Sequence, residues 1–115
     1  MSEFSLERSE LLAENKKIIE SFRSRGLDLN KTREFDFQVA LPNKEACKSV
    51  RAKLRAEYSM PKDGLFMIKN YPDECTLVLS ILMKPSPEVI SQLEEKLILA
   101  SASFDDSEVT WGFEE

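Results

Sequence analysis

Residues 33–41, R-E-F-D-F-Q-V-A-L, alternate with a period of two. Phe35, Phe37, Val39 and Leu41 fall on one side, and Glu34, Asp36, Gln38 and Ala40 on the other. Successive strand side chains point to opposite faces, so this stretch reads as a half-buried strand. A lone strand cannot cover four such apolar residues. It needs neighbouring strands and a second layer against its apolar face. Pro42 stops the strand, and Asn43 suits the N-cap of a following helix.

The rest of the chain supplies those partners. Upstream, Leu11, Leu12, Ile18, Ile19 and Phe22 recur at helical spacing, giving a helix from about residue 5 or 9 to 25. Gly26 then suits a left-handed helix end, with Leu27 as its apolar contact. Downstream, residues 44–57 form a second helix with Cys47, Val50 and Leu54 inward, ending before the break Pro61-Lys62-Asp63-Gly64. Two β-prone runs, 65–69 and 76–83, flank the turn residues Asn70-Tyr71-Pro72-Asp73-Glu74 and read as a hairpin. Ser86 as N-cap, Pro87 at the first helical position and Glu88 in the first turn open a third helix. Its inward stripe is Ile90, Leu93, Leu97, Ala100 and Phe104. After Asp105-Asp106-Ser107 the alternation returns with Val109, Trp111 and Phe113.

The order is α followed by β-α-β-β-α-β. The expected fold is a single α+β domain over residues 1–115: a ferredoxin-like antiparallel sheet at 33–113 with helices on one face, plus an extra N-terminal helix. In that arrangement the last strand pairs beside the first, bringing Trp111 and Phe113 to Phe35 and Phe37 as structural anchors. Burying such a side chain is worth roughly 1.5–3 kcal/mol, enough to oppose fraying of a terminal strand. The Trp111 indole N–H then needs an acceptor. Glu114 and Glu115 would discourage further pairing at that edge. The packing position of the first helix stays open: it either covers the other sheet face or extends the helical layer.

Composition narrows the chemistry. The chain has no histidine, which removes Ser-His and Cys-His nucleophile pairs and most zinc sites. Cys47 and Cys75, 28 residues apart, match no metal or redox spacing and read as reduced packing residues. Glycine-rich phosphate loops, nucleophile elbows and ligand clusters are absent from the sequence, so no catalytic residue, cofactor or metal is assigned. A net charge of −5 disfavours nonspecific nucleic-acid binding and favours protein partners. The start M-S-E-F-S-L-E-R-S-E does not resemble a signal peptide, and the apolar run 77–83 is too short to span a bilayer; a cytoplasmic location is expected.

Three surface features qualify as candidate sites. Lys44, Lys48, Arg51 and Arg55 fall at i, i+4, i+7 and i+11, a basic stripe on the second helix, with Lys53 nearby. Such a stripe is either a solvated face or a dock for an acidic peptide or phosphate backbone. If Phe66 and Ile68 face the core, then Leu65, Met67, Val78 and Leu82 land on the opposite sheet face, a partner or homodimer surface unless the first helix covers it. Glu34 and Asp36 share a strand face but lack a third ligand or base, and they oppose RNA on that face. With Glu88, Glu94, Glu95, Asp105 and Asp106 making the far end acidic, the surface is expected to be electrically two-sided.

Three stretches also carry a family resemblance: the helix E-N-K-K-I-I-E-S-F-R-S-R-G-L-D-L, the strand R-E-F-D-F-Q-V-A-L-P-N and the closing V-T-W-G-F-E. Together they resemble the regulator of ribonuclease E activity B family, over about residues 10–113. The resemblance implies a ferredoxin-like domain that acts by binding: the family's namesake binds endoribonuclease E and inhibits it, changing which transcripts are degraded. The namesake continues into a long acidic tail and is more uniformly acidic, whereas this chain carries a basic second helix.

Overall fold

The computed structural model describes residues 3–58, 60, 64–70, 74–104 and 107–113, with side chains from residue 10 onward. The alternating segment becomes β1 (Arg33–Leu41), whose four apolar side chains are buried. It lies between β3 (Cys75–Met83) and β4 (Glu108–Phe113), and β2 (Leu65–Asn70) pairs with the far side of β3. All three pairings are antiparallel, in the order β2-β3-β1-β4. The last strand therefore sits beside the first, in a register that sets Phe37 opposite Trp111 and Phe35 opposite Phe113. Together with the three helices among the described residues this is an α+β fold.

The helices are α1 (Glu3–Ser24), α2 (Lys44–Glu57) and α3 (Pro87–Ala100). Their ends follow the residues that punctuate them. Leu27 N–H donates to the Phe22 carbonyl and Gly26 N–H to that of Arg23, closing α1 with Gly26 at φ +96°. Only glycine adopts that left-handed conformation without strain. The Asn43 side chain accepts from Ala46 N–H at 2.8 Å to start α2, and Ser86 Oγ accepts from Val89 N–H to start α3. The breaks at 61–63, 71–73 and 105–106, and the final Glu114 and Glu115, lie outside the described residues.

The core forms where the apolar row of β1 and its β3 partners Leu77, Leu79 and Ile81 meet Cys47, Val50 and Leu54 of α2 and Ile90, Leu93 and Leu97 of α3. The N-terminal helix joins this layer rather than crossing the opposite sheet face. It packs along α3, buries Ile19 in the core, and sets Phe22 edge-on to Phe113 with ring centres 4.9 Å apart. Leu65, Met67 and Leu82 consequently stay open.

Candidate functional site

The register fixes which side chains share the open sheet face. Met67 stands opposite Val78, Leu65 opposite Ser80, and Leu82 opposite Glu34. Leu65, Met67 and Leu82 are 72%, 55% and 67% exposed, while Val78, at 3%, is enclosed beside Met67. Of the four sequence-selected residues, three are thus exposed and one is enclosed. The carboxylates of β1 border the patch: Glu34 is exposed, and Asp36 accepts from Ser80 Oγ at 2.6 Å across the strand pair.

The basic stripe runs along α2, and Arg55 near its end reaches β2. Lys44, Lys48 and Arg55 are exposed and Arg51 is half-buried. Lys48 Nζ lies 3.9 Å from Glu45, and the Arg55 guanidinium sits 5.3 Å from the centre of the Phe66 ring. Phe66 belongs to β2, whose alternate residues Leu65 and Met67 face the open side. Of the stripe, Arg55 is thus placed at β2, on the opposite side of the sheet from Leu65 and Met67.

At the opposite edge lies a third region that sequence reasoning missed. Leu11, Asn15, Ile18 and Phe22 of α1, Glu94 and Ile98 of α3, and the run 109–113 of β4 line a groove of about 590 Å³. Asn15 is only 2% exposed and fully used: Oδ1 accepts from Trp111 Nε1 at 3.0 Å, while Nδ2 donates to Glu94 Oε1 at 2.6 Å and Ser91 Oγ at 3.0 Å. Trp111 has the indole acceptor its sequence context demanded, and it is half-buried against the core rather than sealed in it. Burial raises the Glu94 carboxyl pKa above its ordinary value, the Asn15 hydrogen bond opposes the shift, and nearby Glu14 adds to it.

Glu94 corrects the expectation of an acidic far end. At 7% exposure it belongs to the α1–α3 junction and not to the surface field. Asp105 and Asp106 lie outside the described residues, so Glu88 and Glu95 remain of that group. Cys47 and Cys75 are free thiols, both buried and near enough to influence each other, a proximity that their spacing did not reveal. Among the described residues no three histidine, cysteine or carboxylate side chains are grouped to hold a metal, and no helix is long and apolar enough to cross a membrane.

Among curated proteins, none matches the chain. A family model described as regulator of ribonuclease activity B matches residues 12–112, a span running from α1 to Gly112 of β4. That span holds the later part of the first helix with its glycine stop, the alternating strand and the terminal strand through its Trp-Gly pair in one continuous match. The chain belongs to the regulator of ribonuclease activity B family.

Proposed function

We propose that the chain is a non-catalytic, cytoplasmic regulator that binds a ribonuclease, endoribonuclease E or its degradation assembly, as one ferredoxin-like domain. Family membership supplies the class of target. The observation that carries the binding mode is the open sheet face, where Leu65, Met67 and Leu82 are each more than half exposed. Large apolar side chains grouped on an uncovered face mark a protein-interaction surface. Glu34 and Asp36 beside them favour a partner segment that is apolar with basic flanks. The strand order, with β4 beside β1 and β2 outermost, supports the ferredoxin-like assignment.

The basic stripe of α2 supports a role in orientation more than in phosphate recognition. Lys48 is turned toward Glu45, and Arg55 lies over Phe66, so two of its four cations already have local partners. Self-association through the open face is the competing use of the same residues.

A pull-down from cell extract, with and without nuclease treatment, tests the reading. Recovery of a ribonuclease that survives nuclease treatment is expected. Recovery of none, or its loss when RNA is digested, contradicts it. Sedimentation of the isolated chain as a monomer at high concentration would remove the dimer alternative.

A further inference from the structure

The α1–β1 connection builds a cavity of its own, of about 340 Å³, lined by Phe22, Arg25, Gly26, Leu27, Lys31 and Arg33. Three cations and no carboxylate line it. In a chain of net charge −5 this is the reverse of the overall balance. The described residues place none of the three in an ion pair; nearby Arg23 is the one that pairs, with Glu20. Asp28, in the same connection, has its Oδ1 occupied by the Asn30 N–H at 2.9 Å.

Arg33 lines the cavity and carries an unpartnered polar atom. Its Nε is buried and has no hydrogen-bond partner. A buried N–H without an acceptor is costly, so an acceptor brought to this guanidinium is favoured. The guanidinium stands 6.0 Å from the centre of the Phe113 ring, while Arg25 lies over the Phe22 ring at 4.6 Å. Both cations are thus shelved on aromatic rings beside one opening. The end of a helix ordinarily repels anions. Here the Phe22 and Arg23 carbonyls are already taken by Leu27 and Gly26 N–H groups, which blunts that repulsion.

We propose that this cavity binds a phosphate group, with the Arg25 and Arg33 guanidiniums as forked donors and Lys31 as a point charge. A guanidinium matches the paired oxygens of phosphate, and three cations without an ion pair among the described residues suit a dianion better than a carboxylate. The phosphate arrives either as the free ion or as a monoester. The site is separate from the open sheet face, and it stands whether or not the protein partner is a ribonuclease.

The test is an amide NMR titration of the full chain with inorganic phosphate, sodium chloride holding the ionic strength constant. Parallel arms use glycerol 3-phosphate, sulfate and acetate. Saturable shifts are expected at Gly26, Leu27, Lys31 and Arg33, with acetate much the weakest anion. The exposed residues allow Arg25→Gln and Lys31→Gln without disturbing the core, and each should weaken phosphate roughly tenfold. Arg33→Lys, which keeps charge but loses the fork, should also weaken it. Tighter binding of glycerol 3-phosphate identifies a monoester site, and tighter inorganic phosphate a free-ion site. Shifts that do not saturate, that chloride alone reproduces, that acetate matches, or that survive Arg25→Gln and Lys31→Gln would overturn the proposal.

Discussion

Trp111 Nε1 donates to Asn15 Oδ1 at 3.0 Å, joining the last strand to the first helix across 96 positions of sequence. The same Asn15 amide holds Glu94 and Ser91 of α3. One buried side chain thus links three elements, and it closes the sheet edge at which the chain's only tryptophan sits.

Trp111→Phe keeps most of the ring packing but removes the donor to Asn15 Oδ1. A buried acceptor left unpaired costs about 1–3 kcal/mol. Urea unfolding should show that loss with an unchanged slope. Asn15→Ala combined with Trp111→Phe should cost less than the sum of the two single changes, since both remove the same bond. Additive losses would show that the bond contributes nothing.

Glu94 gives stability a pH dependence of definite sign. Its folded pKa is raised above 4.5, so between the unfolded and folded values the native state holds more protons than the unfolded one. Stability contributed by the protonated form is therefore complete below about 4.5 and falls as pH rises through the folded value. Glu94→Gln preserves an acceptor for Asn15 Nδ2 and removes the titration. Thermal melts from acid to neutral pH should show a decline in the native chain that the variant lacks.

Burial, the hydrogen bond with Cys75 and the Cys75 charge push the Cys47 thiol up to about 12, against a smaller opposing effect of Arg51. Thiolate is the reactive form. Alkylation of the folded chain at neutral pH should be slow at Cys47, and unfolding in denaturant should release it. Fast native-state labelling at Cys47, located by peptide mapping, would contradict its packing.

Leu65→Lys and Met67→Lys alter exposed side chains and should change stability by no more than about 0.5 kcal/mol. Partner affinity should drop roughly tenfold or more if these residues anchor the interface. Unchanged affinity, measured by titration calorimetry, would move the interface elsewhere. Stability measured in parallel separates lost binding from lost folding.

Periodicity made most of this legible. The two-residue alternation of 33–41 and the returning alternation at Val109, Trp111 and Phe113 predicted the strands and their neighbourhood, and Asn43, Ser86 and Gly26 marked helix ends through local chemistry. The same logic separated Phe66 and Ile68 from Leu65 and Met67, but it could not tell that Val78 would be enclosed by neighbours on its own face. Glu94 was misplaced because a charged residue on a helix is ordinarily solvated. Its partner carried a signal: Asn15 lies four residues after Leu11 and four before Ile19, within the apolar phase of α1. The meeting of Cys47 with Cys75, and of Arg25 with Lys31 and Arg33 around one cavity, depends on tertiary packing or loop geometry that no period encodes.

The most direct measurement of regulation by binding is a cleavage assay with purified endoribonuclease E and a defined RNA, titrated with the native chain and with the combined Leu65→Lys, Met67→Lys variant. Binding through the open sheet face predicts that cleavage slows saturably as the native chain approaches stoichiometry, that the variant is much weaker, and that the chain alone leaves the RNA intact. Undiminished cleavage in excess native chain, or RNA cut by the chain alone, would contradict it.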